Sequence, residues 1–290
     1  MKKRFILLVV IGLLSSSNIF PDYGFRLLLS NSLYGQKRSV SDYLKELPKD
    51  LKIDNKTSQK YLMTADYYNK DIFGNFQNKT RAIGEYTRGL GDGFVKWNNV
   101  YIANSDKLEE AFPEGTKQEY IENMKYVPSE KLLEESFFEK FPTDPNSMFA
   151  RNLIWDMMCI EELAWKYFDS LELNRDYAAA ESNQEIQLAG SGSYYNKNVQ
   201  ISWIGITRMN NEICAIIDYR VFDNLLELDV PGLKSKGSEH YWGKTWVSLN
   251  DKQIEYAVMY SSTIQELNIT GLPESIIVKT TREVKVEKMN

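Results

Sequence analysis

Apolar residues in this chain follow two different periods, and the order of those periods sets the architecture. From about residue 58 to 104, Tyr61, Met63, Ala65 and Tyr67 alternate with Leu62, Thr64, Asp66 and Tyr68, the period of two that marks a strand with one buried face. Asp71 to Asn75 reads as a turn into a second strand over Phe76 to Tyr86. Gly89-Leu90-Gly91-Asp92-Gly93 then reverses the chain into a third strand over Phe94 to Ala103. Three strands joined by tight turns imply an antiparallel meander.

Between 105 and 174 the period lengthens. Leu108, Ala111 and Phe112 fit a short helix closed by Pro113, and Lys117 to Tyr126 and Ser129 to Phe141 fit two more. Asp144-Pro145-Asn146-Ser147 is a helix start. The longest helical pattern follows, over Met148 to Leu173, with Leu153, Met157, Ile160, Ala164, Tyr167 and Leu171 on one stripe and Ile154, Met158, Trp165 and Phe168 on a second. A helix apolar over so much of its circumference is buried against a sheet.

From 185 to 287 the alternation returns, with Val199, Ile201 and Trp203, then Ile213, Ala215, Ile217, Tyr219 and Val221. Asn210-Asn211 and Asn250-Asp251 stand as hairpin turns, and Ile276, Val278, Val284 and Val286 end the pattern. Strands and helices do not alternate, which disfavours a doubly wound parallel fold. The expectation is α+β: a strongly curved antiparallel sheet of about eight or nine strands, half-barrel-like, with a long helical insertion packed on its concave face. Residues 58–290 then form one domain (strands over 58–104, helices over 105–174, strands over 185–287), preceded by a polar lead-in over 36–57.

That element order resembles the half-barrel of periplasmic lipoprotein carriers, and the resemblance implies a concave sheet that holds an apolar ligand beneath its helical insert.

Lys2, Lys3 and Arg4 precede the apolar run Phe5 to Leu14 and then Ser15-Ser16-Ser17, the layout of a secretory signal peptide. Residues 1–35 are therefore expected to be an export signal cleaved between 17 and 35, which makes the mature protein periplasmic or extracellular. No cysteine follows the apolar run, so a lipid anchor is disfavoured, and no later run reaches the length of a membrane-spanning helix.

Lys+Arg 35 against Asp+Glu 40 gives a formal charge of −5, which disfavours nucleic acid as a partner. With one His and two Cys, zinc fingers, multi-histidine metal sites and a disulfide-dense scaffold are excluded. No cofactor motif is present: Gly89 to Gly93 has no helix after it to cradle a phosphate, and Asn69 to Thr80 offers too few oxygens for a calcium loop.

Several residues remain as candidates for chemistry. His240 shares a strand face with Trp242, Lys244 and Trp246, as a general base or a ligand contact on an aromatic wall, or simply as a histidine hydrogen-bonded by a neighbour. Trp242 and Trp246, with Lys244 between them, are the expected ligand contacts. Cys159 on the long helix and Cys214 on a strand are a disulfide candidate in an oxidising compartment, with two buried free thiols as the alternative. On the same helix, Asp156 and Glu161 lie about 140° apart, which argues against a catalytic carboxylate pair. Asp156, beside Trp155 in the most apolar stretch, is the exception that merits testing.

The expected function is an exported, non-catalytic protein that binds a hydrophobic ligand or an envelope partner, with a lipid, a glycan or a protein as the candidates. A hydrolase using His240 or Asp156 and a subunit of an envelope assembly are the alternatives.

Overall fold

A computed structural model describes residues 57–289, together with Lys45 and Ile53. The described strands and helix belong to one compact unit within residues 47–290. The expected signal segment and most of the lead-in lie outside the described residues. Among those described, no helix is long and apolar enough to cross a membrane.

The meander forms as the alternation requires: β1 (Gln59–Asp71), β2 (Phe76–Arg88) and β3 (Val95–Ser105). The β1–β2 turn is fixed by Asp71, whose Oδ1 accepts the backbone N–H groups of Phe73 and Asn75, each at 2.9 Å. Carboxylate-closed turns of this kind are why Asp favours such positions.

The segment that follows departs from expectation. The three short helices expected over Leu108–Phe112, Lys117–Tyr126 and Ser129–Phe141 do not form. Two short strands, β4 (Thr116–Lys117) and β5 (Met124–Tyr126), pair instead with β3, and single 3-10 turns cover Glu119–Ile121, Glu130–Leu133 and Glu135–Phe138. Pro113, Pro128 and Pro142 cut the region into pieces too short to repay helix nucleation. Ile121, Leu132 and Phe138 still reach the core one at a time.

α1 (Pro145–Trp165) begins where the sequence places it. Asp144 Oδ1 caps the N–H groups of Asn146 at 2.8 Å and Ser147 at 3.2 Å, and Pro145 occupies the first turn, where no N–H is needed. The helix stops at Trp165, short of Leu173, and a 3-10 turn continues it over Phe168–Ser170.

Three short strands follow: β6 (Asp176–Ala178), β7 (Glu185–Gln187) and β8 (Gly192–Tyr195). Five long ones complete the fold: β9 (Val199–Met209), β10 (Glu212–Val230), β11 (Leu233–Ser248), β12 (Ile254–Ile269) and β13 (Ile276–Met289). Asn210 and Asn211 turn the β9–β10 hairpin with both residues in the left-handed region, φ 48° and 66°, the type I′ geometry that matches strand twist. β10 and β11 run further than the clear alternation, because the tip of their hairpin, at Pro231-Gly232, carries charged residues on its exposed side.

All thirteen strands belong to one antiparallel sheet, ordered β4-β3-β2-β1-β13-β12-β11-β10-β8-β7, with β5 on β3 and β9 between β10 and β6. The sheet is curved and open, and α1 lies on its concave face. The core between them joins Tyr61, Met63 and Ala65 of β1, Tyr86 and Trp97 of the meander, and Leu153, Met157 and Ile160 of α1. Two buried carboxylates pin the helix to the sheet from different sides. Asp156 meets Arg282 of β13, and Glu161 meets Arg88 of β2 at 3.5 Å while accepting from the Tyr86 hydroxyl at 3.0 Å. Glu162 pairs with Lys166 one turn on, at 2.6 Å on the wet side.

Candidate functional site

The concave face beneath α1 is not apolar throughout. On three adjacent strands the inward-facing residues change character at the same level. β12 passes from Ala257 and Met259 to Ser261, Thr263 and Gln265, and β13, read backwards, from Val286 and Val284 to Arg282 and Thr280. β1 passes from Met63 and Ala65 to Tyr67 and Asn69, and beside them β11 contributes Tyr241 and Glu239 at the level of Ser261 and Thr263. A cavity of about 440 Å³ opens over this polar floor. Its roof is the first two thirds of α1, with Met148, Phe149, Asn152, Trp155, Met158 and Cys159. Its end wall is Ile186 and Leu188 by the β7–β8 hairpin, with Leu226 and Leu228 of β10.

The charged centre of the floor is a three-part cluster. Arg282 Nη1 donates to both oxygens of Asp156, at 2.9 and 3.1 Å, and its Nη2 stands 3.6 Å from Glu239 Oε1. Burial pushes the Asp156 carboxyl up to about 6, against the attraction of Arg282 and with a smaller push from Glu239. Burial also weighs against the Arg282 charge, but Asp156, Tyr67 and Glu239 more than offset it and hold the guanidinium firmly protonated. The arginine lies over the Tyr67 ring, 5.8 Å from its centroid.

Around this cluster the aromatic hydroxyls are unevenly served. Tyr241 donates to Asn196 Oδ1 at 3.3 Å. The hydroxyls of Tyr67 and Tyr194 are buried without a well-aligned partner, the first beside Asn152 and Arg282 and the second beside Glu239, and such groups are costly to leave poorly matched.

Of the residues singled out in the sequence, Asp156 and Cys159 border the cavity. The others do not. The alternation that turns Glu239 and Tyr241 inward turns His240, Trp242, Lys244 and Trp246 to the convex face. There Trp242 stacks on Tyr260, ring centroids 6.1 Å apart, Trp246 meets Tyr256 edge-on, and Lys244 lies 4.0 Å from Asp218. His240 Nδ1 accepts the backbone N–H of Asp223 at 3.0 Å. That N–H is freed by the irregularity between Val221 and Asn224, where β10 carries two residues unmatched on β11. The histidine thus closes a β-bulge, and the whole sheet separates it from Asp156.

The Cys159–Cys214 disulfide does not form: both thiols are free. Cys214 is out of phase with the inward residues Ala215, Ile217 and Tyr219, so the sheet lies between it and the helix. Burial pushes each thiol up to about 12, far from the ionised state a nucleophilic cysteine needs.

Glu239, Arg282, Tyr67 and Tyr194 escaped the sequence reading. Arg282 had a signal, since it shares a phase with Val284 and Val286, where an apolar residue belongs. Among the described residues, no group of three or more His, Cys, Asp or Glu side chains is placed to hold a metal ion. Compared with protein-family models and with curated proteins, the chain matches none.

Proposed function

We propose that this chain is an exported binding protein that takes a small amphipathic ligand into the cavity between α1 and the concave face. One observation carries the reading: inward-facing positions on three neighbouring strands, β1, β13 and β12, turn polar together where the cavity opens. Fold stability alone favours apolar residues at such positions. A polar floor facing an apolar helical roof is the usual make-up of a ligand pocket, with a few placed polar groups in a mainly apolar lining.

The hydrolase alternative draws less support. Asp156 is tied to Arg282, and His240, the other residue it would use, is occupied on the opposite face. The assembly alternative rests on the exposed aromatic pair Trp242 and Tyr260, which a partner would cover.

Native mass spectrometry of the protein, purified without detergent from the cells that export it, tests the binding reading. The expected result is a defined extra mass that is lost on denaturation and absent from Thr263→Trp, which fills the cavity from its floor. A bare wild-type protein that also takes up no small amphiphile would overturn it.

A further inference from the structure

The ionic make-up of the cavity narrows its ligand. Three ionised side chains face it: Asp156 from α1, Glu239 from β11 and Arg282 from β13. One guanidinium against two carboxylates leaves a single negative charge in excess, and no lysine lines the space. The arginine is also the one charged group already engaged on both sides, most closely by Asp156. An anionic ligand would have to displace that pair and would add to the negative charge, which a desolvated site tolerates poorly.

A cation meets the opposite conditions. Glu239 is held only loosely by Arg282, at 3.6 Å, with the Tyr194 hydroxyl beside it, and a carboxylate has room for more than these two donors. The Tyr67 hydroxyl is buried at the cavity wall without a well-aligned partner, its oxygen facing Asn152 and Arg282. The rings of Tyr67, Phe149 and Trp155 border the same space, and aromatic faces attract cations when water is excluded.

Resting on the binding function proposed above, we propose that the cavity selects a positively charged ligand: an ammonium or guanidinium group on a compact apolar body. The cation lies against Glu239 and the Tyr67 ring, and the body lies against Met158 and Leu228.

Three probes of equal chain length test this by calorimetry on the intact protein: hexyltrimethylammonium, hexanol and hexanoate. The ammonium probe is expected to bind about tenfold or more tightly than hexanol, with hexanoate weakest. Glu239→Gln should bring the ammonium probe down to the affinity of hexanol and leave hexanol unchanged. Should that variant unfold, salt gives the same reading on the wild type, because added NaCl should weaken only the ammonium probe. Equal affinity for the ammonium probe and hexanol, or a preference for hexanoate, would overturn the charge selection and leave the binding function standing. No uptake of any probe would overturn both.

Discussion

Asp156 shows how one side chain can serve a site and burden a fold. Its carboxyl rises from an ordinary 3.8 to about 6 on folding, so the folded state holds its proton more tightly than the unfolded chain does. The stability tied to that proton is fully present below about pH 4 and is lost as pH climbs through about 6. The size of the loss is roughly 3 kcal/mol at about 1.4 kcal/mol per pH unit. Asp156→Asn has no proton to lose, so urea unfolding at pH 4, 5, 6 and 7 should show the variant gaining on the wild type across that span. Parallel curves would mean that Arg282 compensates the carboxylate fully. His240 makes the contrasting case. Its bond to the Asp223 N–H closes a bulge at a half-exposed position where water can substitute, so His240→Ala should cost about 1 kcal/mol of stability and leave ligand uptake unchanged. Loss of uptake with an intact fold would return the histidine to the site.

At the scale of elements, local chemistry decides which parts of the fold the sequence makes legible. The meander and the β9–β10 hairpin could be read because Tyr61, Met63 and Ala65 alternate without interruption, Asp71 turns the chain by its own side chain, and Asn210-Asn211 turn it by left-handed backbone. The start of α1 could be read for the same reason, since Asp144 and Pro145 act within one turn. Asp144→Ala should lower stability by about 1 kcal/mol, measured as a shift of the urea midpoint; no shift would mean that packing of Leu153 and Met157 sets the helix start without the cap. The stretch from Leu108 to Phe141 carries a helical pattern without a helix because its apolar residues recur at those intervals for another reason: each anchors an irregular chain to β3 or to the core, and prolines bar a continuous helix. The ion cluster was out of reach for a further reason. Asp156, Glu239 and Arg282 come from three elements far apart in the chain: the registers of β11, β12 and β13 set Glu239 and Arg282 two residues apart along the sheet, opposite Thr263 and Ser261 of β12, and α1 brings Asp156 onto them.

At the scale of the whole molecule, a single curved sheet carries two aromatic surfaces that cannot act together. Trp155 lies in the roof of the cavity, its indole N–H bonded to the Leu132 carbonyl at 2.8 Å, whereas Trp242 stands 41% exposed on the convex face. Between them lies the hydrogen-bonded backbone of β11 and β12, a layer that small side-chain changes on one face do not cross. Removing the convex ring should therefore be nearly silent: Trp242→Ala is expected to change stability by well under about 1 kcal/mol, as exposed positions generally do, and to leave probe affinity within about twofold. Tryptophan emission separates the two faces directly. Ligand uptake should shift the emission of the wild type and of Trp242→Ala alike, and Trp155→Phe should lose most of that shift while still binding by calorimetry. If Trp242→Ala instead weakens the probe by more than about tenfold with the fold intact, the ligand belongs on the convex face, and the polar floor beneath α1 needs another explanation.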